Sequence, residues 1–418
     1  MKRETSKWAA PLLGVLALLA WGLCAFLAQE IGALSSGVSA RWEGEGGVSP
    51  AQVEEALRYA REDGGENVPR MTLWREKPGA VLWDEGEERT AAASVVEFYG
   101  QGADLWPVPF LTGNYPAQGD AEGIAVDEAL SAALWGGVGR PGQIVRWEGK
   151  TYVLRGVFRG DGGLALLPGR ADDADAWPNL FLRFPQQGGR EAAQAFLNRN
   201  GWSGGDLLDL ELLSWCVTAL AGLPGAALLL GLLWKLLRRG LALRASPLLL
   251  ASYLPPALCA GALALWCGNF PPRVPAALIP TKWSDFSFWA RLASGLGESL
   301  GAWLSGPLTL RDLRLWPLAL GCLLLSAAAL ALTLLAAERV RPRDGQGVVA
   351  GWALSLGTLL ALVFLLGDRG GLALSRPMLL LPVLWPLFGW GLARHEEFLR
   401  PRERGEEHEA LEAPGDGE

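Results

Sequence analysis

The sequence predicts a polytopic α-helical membrane protein with six spans and an α+β extracytoplasmic domain between spans one and two. Half of its 418 residues are hydrophobic, and its mean hydropathy is +0.20. The apolar residues are gathered in long uncharged runs, and a run of about 20 such residues is long enough to cross a bilayer. One polar stretch, residues 30–206, separates the first apolar run from the others.

The first apolar run is predicted to be a membrane anchor, residues 1–29. Basic residues precede this run, which extends from Trp8 to Leu27. A cleaved signal peptide is the competing interpretation, because Val38-Ser39-Ala40 has the small residues of a cleavage site. The run approaches about 20 residues, which is longer than the core of a typical signal peptide. We therefore expect an uncleaved anchor with its N-terminus inside.

The polar stretch, residues 30–206, is predicted to fold as an α+β domain outside the membrane. Ser49 and Gln52 form a capping-box pattern, and the apolar stripe that follows them ends near Gly64. Short apolar or alternating runs then predict strands. These runs are Met71–Trp74 and Ala80–Trp83 on either side of a turn at Lys77-Pro78-Gly79, then Thr90–Tyr99, and finally Asn179–Phe184 before a helix at Arg190–Asn198.

The most informative pattern lies between residues 108 and 157. An apolar run, Gly123–Val126, leads into a helical pattern from Asp127 to Trp135 that begins with acidic residues. A glycine cluster at residues 136–142 ends this helix and turns the chain. From Gln143 apolar and polar residues alternate on both sides of a turn at Gly149-Lys150, which predicts a β-hairpin.

This order of helix, glycine turn and hairpin resembles the extracytoplasmic core domain of MacB-like ABC-transporter permeases, in the FtsX-like permease superfamily. The segments that carry the resemblance are Phe110–Gly113, Ile124–Leu130, Leu134–Gly136, Val138–Gly142, Ile144 and Gly149–Val157. They occur in one order and together span about fifty residues.

The resemblance implies a permease-like subunit that works with a separate cytoplasmic ABC ATPase. ATP-driven dimerisation inside would shift the outer domain, for export or for regulating a surface process, in a homo- or hetero-dimer. Family members usually carry three spans after the core domain and contact the ATPase through a cytoplasmic segment. Here five spans and a short loop from Lys235 to Ser246 are predicted instead. The candidate ATPase contact consists of the basic residues of that loop: Lys235, Arg238, Arg239 and Arg244.

Residues 207–394 are predicted to form a five-span transmembrane domain. The spans are Leu212–Leu233, Leu248–Trp266, Trp316–Ala336, Val348–Leu366 and Leu372–Leu392. Compact clusters of lysine and arginine follow the second, fourth and sixth spans of the chain. The positive-inside rule therefore places both termini in the cytoplasm, and residues 30–206 outside the plasma membrane. Residues 395–418 form an acidic cytoplasmic tail that is predicted to be disordered.

An outer segment, residues 268–314, is predicted between spans three and four. Its large apolar residues recur at helical spacing: Phe286, Trp289, Leu292, Leu296, Leu300 and Trp303. This spacing predicts an amphipathic helix in the outer membrane interface, and a helix packed on the bundle is an equal alternative. The segment also carries basic residues that oppose the positive-inside rule: Arg273, Lys282, Arg291, Arg311 and Arg314.

The sequence contains few residues that could carry chemistry. No nucleotide-binding P-loop occurs, and we expect neither a metal nor another cofactor. His395 and His408 have no metal-ligand spacing with the cysteines and form no evident triad. The cysteines all lie in or beside apolar runs, where small apolar fillers are expected. The net charge of −7 argues against a nucleic-acid partner. We therefore do not expect an enzyme.

Other functions remain open from the sequence. A membrane sensor or binding protein could use the outer domain without an ATPase. A membrane enzyme with its site on the outer face is disfavoured, because no histidine, cysteine or carboxylate cluster marks such a site outside. An ion-coupled transporter is also disfavoured, because its pathway needs charged groups at depth in the membrane and the predicted spans have almost none.

Overall fold

The computed structural model describes residues 9–397, with gaps at 45, 63–66, 85, 87, 186–188, 243–250, 252, 268–274, 276–277, 281, 283–284, 307, 340–343, 368–371, 383, 392, 395–396 and 398 onward. The chain divides into two units. The first contains residues 1–29, 218–273 and 320–418, and the second contains residues 30–217 and 274–319.

The described residues include ten strands and ten helices. In chain order they are α1 (Ala9–Leu34), β1 (Val38–Arg41), α2 (Pro50–Glu62), β2 (Arg70–Asp84), β3 (Arg89–Tyr99), α3 (Gly102–Leu105), β4 (Phe110–Gly113), β5 (Gly123–Asp127), α4 (Glu128–Trp135), β6 (Ile144–Trp147), β7 (Lys150–Phe158), β8 (Leu164–Pro168), β9 (Asn179–Arg183), α5 (Gly189–Arg199), β10 (Asp206–Asp209), α6 (Leu210–Ala242), α7 (Leu254–Cys267), α8 (Phe288–Ser305), α9 (Leu310–Arg339) and α10 (Gly345–Gly367).

Four of the described helices are long and apolar enough to cross a membrane. They are α1, α6, α9 and α10. The third predicted span, Leu248–Trp266, overlaps α7, which has 14 residues. Residues 248–250 and 252 of this span lie outside the described part. The sixth predicted span, Leu372–Leu392, contains helical residues at 376–382 and 384–391. Six spans therefore stay a prediction, of which four are supported by helix length and composition.

The first unit is held together by helix contacts far apart in sequence. The indole nitrogen of Trp21 in α1 donates to the carbonyl of Ala221 in α6 at 2.8 Å. The hydroxyl of Ser326 in α9 donates to the carbonyl of Leu220 at 2.7 Å. Buried Cys24 and Cys322 bring their sulfur atoms to 3.7 Å without a disulfide. Polar atoms of otherwise apolar helices thus find partners on neighbouring helices, as a helix bundle in lipid requires.

The second unit contains one ten-stranded sheet with two lobes. In the first lobe the strands lie in the order β10-β1-β9-β2, and every neighbouring pair is antiparallel. The helices α2 and α5 provide the crossovers from β1 to β2 and from β9 to β10. This is the split βαβ arrangement of ferredoxin-like folds. Its core includes Val38, Leu73, Trp177 and Leu182, all fully buried.

The second lobe is the chain inserted between β2 and β9. Its strands follow a closed path, β2-β3-β8-β5-β7-β6, and β6 returns to β2 through the pair Trp83–Arg146. The helix α4 covers this lobe through Leu130 and Leu134, which join a core of strand residues such as Ile124 and Val145. The long strand β2 belongs to both lobes, because its first half pairs with β9 and its second half approaches β6.

Several sequence predictions are confirmed by these elements. Ser49 and Gln52 exchange capping-box hydrogen bonds of 2.9 and 3.3 Å at the start of α2. The predicted sequence of β5, α4, glycine turn and hairpin is present, and Asp127 caps α4 through a 2.8 Å bond from the Leu130 amide. Gly136 ends α4 with a left-handed φ of 74°, which glycine adopts without steric cost. The strands predicted at residues 90–99 and 179–184 and the helix at 190–198 are also present.

Three local predictions are wrong. The predicted turn at Lys77-Pro78-Gly79 does not occur: β2 continues to Asp84, and a register shift against β3 between Lys77 and Ala80 absorbs the extra residues. The hairpin turn consists of Glu148 and Gly149, both with positive φ, and Lys150 already pairs with Trp147. The loop predicted from Lys235 is helical as far as Ala242.

Candidate functional site

Two of the long apolar helices, α1 and α6, connect to the sheet almost without a linker. Only residues 35–37 separate the end of α1 from β1, and α6 begins at Leu210 directly after β10. The strands β1 and β10 pair along their whole length, from Val38–Asp209 to Arg41–Asp206. The amide of Leu210 also donates to the carbonyl of Gly37 at 3.1 Å. One pair of hydrogen-bonded strands therefore joins the ends of both helices to the first lobe.

A third long helix, α9, begins in a buried cap formed by Thr309 and Asp312. The Asp312 carboxylate accepts from the amide and from the hydroxyl of Thr309, both at 3.1 Å. The Asp312 amide in turn donates to the Thr309 hydroxyl at 3.2 Å. This is a reciprocal capping box, and its negative charge is favourable at the positive end of the helix dipole. Both side chains are buried.

Arg41, at the end of β1, ties this cap to the sheet. Its guanidinium lies 3.2 Å from the Asp312 carboxylate, and the two side chains are 3% and 5% exposed. It also donates to the backbone carbonyl of Trp303, and its carbon Cζ lies 4.0 Å from the centre of the Trp303 ring. The Trp303 indole donates to Asp312 at 3.0 Å. A buried ion pair is tolerated only when hydrogen bonds satisfy both partners, and here several do.

Glu76 in β2 supplies a second carboxylate to the start of α9. Both of its oxygens accept from the Leu310 amide, at 3.0 and 3.1 Å. Burial raises the pKa of Glu76 above its ordinary value, and the hydrogen bond from Leu310 opposes this only in part. Ionisation of Glu76 is therefore less favourable in the folded protein than in the unfolded chain.

This difference predicts a pH dependence that Glu76→Gln removes. Folding raises the pKa of Glu76 above 4.5. The favourable contribution of Glu76 to stability is therefore fully present below pH 4.5, and it is lost as the pH rises through the pKa that Glu76 has in the folded protein. A glutamine accepts the same amide hydrogen bond and does not titrate. We expect the stability of Glu76→Gln relative to the unsubstituted protein to increase between about pH 4 and pH 8 in thermal unfolding in detergent. The exposed Glu55→Gln is the control, and an equal difference at both pH values would contradict the assignment.

Arg311 links the start of α9 to the end of α1. It is buried, and it donates to the carbonyl of Leu34, the last residue of α1. A cation is favourable at the negative end of a helix dipole. The guanidinium carbon lies 4.1 Å from the centre of the Phe181 ring and 5.7 Å from that of Trp74. On the next turn Arg314 reaches Glu30 of α1 at 3.2 Å.

We call this set the charged junction: Glu30, Leu34, Arg41, Glu76, Trp303, Thr309, Arg311, Asp312 and Arg314. It brings together the end of α1, the start of α9, the end of α8 and the strands β1 and β2 of the first lobe. No sequence pattern predicts the charged junction as a whole. Thr309-x-x-Asp312 is a capping-box signal in the sequence, whereas Arg311 and Arg314 stand out there only as charges that oppose the positive-inside rule. Their contacts with α1 and the sheet account for their presence in this segment.

The helix predicted in the outer segment is α8, and it has two different faces. One face packs against β10, with Trp303 buried and the Ser299 hydroxyl accepting from Arg190. The other face exposes large apolar side chains: Trp289, Leu296, Leu300 and Leu304, preceded by Phe286. The packed face attaches the helix to the first lobe. The exposed face keeps the prediction of a membrane-interface helix open.

Three of the four residues of the predicted ATPase contact lie on the last turns of α6. Lys235 and Arg238 are exposed and Arg239 is half-buried, whereas Arg244 lies outside the described residues. The Lys235 ammonium lies 5.5 Å from the centre of the Trp385 ring. Three of the four candidates therefore share one helix end, and their contact with an ATPase stays a prediction.

No group of three or more metal-ligating side chains occurs within the part of the chain that the structure describes. The glycine cluster after α4 has a structural explanation. The buried Ser131 hydroxyl donates to the Gly137 carbonyl at 2.8 Å and accepts from the Gly139 amide at 2.7 Å. These bonds fix the turn from the helix side.

No family model matches the sequence, and no curated protein matches it. Solved structures do match in part. The periplasmic region of MacB from Actinobacillus actinomycetemcomitans is 10% identical, with a TM-score of 0.35, and the match covers 45% of this chain and 94% of that one. The extracellular domain of the noncanonic ABC-type transporter YknZ from Gram-positive bacteria is 13% identical, with a TM-score of 0.30, and the match covers 40% and 96%.

Proposed function

We propose that this chain is a permease-like subunit of an ABC transporter or of a related mechanotransmission complex, which works with a separate cytoplasmic ATPase. In this proposal the chain has no enzymatic activity of its own. ATP-driven movement of the membrane helices is passed to the outer domain, where it drives export or regulates a surface process. The resemblance of residues 108–157 to the MacB-like core domain supports the proposed class of protein.

The charged junction is the observation that carries this proposal. To transmit motion, the membrane helices must be joined to the outer domain by contacts of fixed geometry. Three helices long enough to cross a membrane end in short connections or buried charged contacts with the first lobe. Buried hydrogen-bonded charges have well-defined geometry, and breaking one leaves an uncompensated charge. A shift of α1 or α9 is therefore expected to move β1 and β2.

The orientation within this proposal follows from charge. The basic end of α6 and the other compact clusters are cytoplasmic by the positive-inside rule, and so are both termini. Residues 30–206 and the outer segment are then extracytoplasmic in the plasma membrane. Arg311 and Arg314, which oppose the rule, make hydrogen bonds with Leu34 and Glu30. Short-range contacts of this kind explain why the two charges are retained on the outer side.

Affinity purification of the tagged full chain from gentle detergent tests the ATPase partnership. We expect a stoichiometric ABC ATPase in the purified complex. The partner is expected to be lost in Arg238→Glu combined with Arg239→Glu, and in Lys235→Glu combined with Arg238→Glu, which changes only exposed residues. Two exposed arginines of the outer domain, in Arg140→Glu with Arg170→Glu, provide the control for total charge. Absence of any ATPase in several detergents would overturn the proposal.

A membrane sensor or binding protein is the second candidate, and one feature of the first lobe favours it. A groove of about 400 Å³ lies between α2 and α5. Tyr59 is exposed there, and Glu62 and Arg199 provide charges of both signs. Binding of a small ligand at this groove, in a chain that purifies without an ATPase, would favour the sensor.

A further inference from the structure

A large cavity lies within the first unit, among the helices that could cross a membrane. Its volume is about 620 Å³, which is in the usual range for a small-molecule pocket. Its walls come from α1, α9 and α10 and from Pro382, Trp385 and Pro386, with one contribution from Leu228 of α6. Small residues create the space, among them Gly14 on α1 and Ala350 and Gly351 on α10.

The cavity is not explained as ordinary packing. Protein interiors are close-packed, whereas this space is half open to the surroundings of the helices and is lined mostly by apolar atoms. A Cβ atom added at Gly14 would meet nothing within 4 Å, and one at Gly351 would meet only the Pro386 ring at 3.5 Å. Larger residues could therefore fill this space without a clash. An apolar space of this kind between membrane helices is stabilised when an apolar chain occupies it.

Positively charged side chains lie at the apolar cavity. Among the described residues that line it, Arg339 is the only charged one. Arg339 is the last residue of α9, is exposed, and makes no ion pair with another described residue. A second cation, Lys235, lies over the ring of Trp385, which also lines the cavity. The acidic Asp344 at the start of α10 is exposed and already accepts from the Gly347 amide at 2.9 Å.

We propose that this cavity is a binding site for a phospholipid with an anionic headgroup. An acyl chain lies against the apolar wall formed by Leu18, Trp21 and Leu354, and the phosphate lies beside the Arg339 guanidinium. Arginine is suited to this contact, because its planar fork binds two phosphate oxygens at once. The proposal is independent of the ATPase partnership, since it concerns only residues of this chain.

Native mass spectrometry of the full chain, with phosphatidylglycerol or phosphatidylcholine added to the delipidated protein, tests the site. We expect the unsubstituted protein to retain one phosphatidylglycerol more tightly than any phosphatidylcholine. Arg339→Gln should reduce this preference about fivefold, since one basic residue near a membrane surface contributes about that much. Arg394→Gln is the matched control, because Arg394 is exposed and does not line the cavity.

A second pair of variants tests the apolar part of the site without changing charge. Gly14→Leu places a side chain in the open space and should weaken the retention of phosphatidylglycerol about tenfold. Gly357→Leu is the control, because Gly357 also has nothing within 4 Å of an added Cβ but does not line the cavity. This substitution should leave lipid retention unchanged. Equal retention of both lipids by the unsubstituted protein, or equal effects of the test and control variants, would overturn the proposal. Retention of free inorganic phosphate in place of lipid would also contradict it.

Discussion

Asp312→Ala is expected to lower the free energy of unfolding by about 3–5 kcal/mol, the usual cost of leaving a buried charge without its partner. Arg41 is almost fully buried and lies 3.2 Å from the Asp312 carboxylate. Alanine removes that carboxylate together with the cap that satisfies the Thr309 amide. It also removes the acceptor of the Trp303 indole. Chemical denaturation of the purified full chain in mixed micelles measures the effect.

Asp344→Ala is the matched control for the loss of a helix cap alone. Asp344 accepts from the Gly347 amide at 2.9 Å at the start of α10, and it is exposed. Losing an exposed cap typically costs about 1 kcal/mol. The double substitution Arg41→Met with Asp312→Ala separates the causes further, because it removes the buried cation as well. We expect the double variant to be more stable than Asp312→Ala. Equal effects of Asp312→Ala and Asp344→Ala would show that the ion pair contributes nothing beyond the cap.

Gly113→Ala is expected to destabilise the second lobe by about 3 kcal/mol, from backbone strain and overpacking together. Gly113 ends β4 with a φ of +67°, and an added Cβ would lie 1.9 Å from the Arg155 carbonyl oxygen in β7. Relief requires the two strands to separate. The approach is equally close from β7, since a Cβ at Gly156 would lie 2.6 Å from the carbonyl oxygen of Asn114, the residue after Gly113. Hydrogen exchange of the β4 and β7 amides reports the local loss of stability.

Gly119→Ala separates backbone strain from steric clash. Gly119 has a φ of +88° and nothing within 4 Å of an added Cβ, so alanine there meets only the strain of a left-handed conformation. That strain costs about 1–2 kcal/mol. We expect Gly113→Ala to cost clearly more. If the two substitutions cost the same, the close approach of β4 and β7 does not exist in solution.

The local parts of the fold could be predicted from the sequence because their signals are local. The Ser49–Gln52 capping box and the Asp127 cap of α4 are complete within four residues. Consecutive sequence patterns predict a strand, a helix, a glycine turn and a hairpin between residues 123 and 158, and all four elements are present. Proline and glycine at positions 78 and 79 gave a misleading signal, since they usually mark a turn. Here the ladder with β3 resumes beyond them, with Gly79 at a positive φ.

The charged junction could not be predicted in the same way. Arg41 and Asp312 are 271 positions apart, and no periodic pattern relates one to the other. The strand β1 has four residues and all of them are buried, so it lacks the alternation that reveals a half-exposed strand. Arg311 is buried although arginine is seldom buried without a partner. Its position depends on the carbonyl at the end of α1 and on two aromatic rings, which only the folded chain brings together.

Hydrogen–deuterium exchange on the complex purified with its ATPase, with and without ATP and vanadate, tests the transmission of motion most directly. We predict that nucleotide changes the protection of amides at residues 30–41, 70–76 and 303–314, which contain the charged junction. The change should disappear in Asp312→Ala while the ATPase remains bound. If nucleotide changes protection in the ATPase and at the end of α6 but never in the charged junction, the helices do not drive the outer domain through it, and the proposed mechanism is wrong.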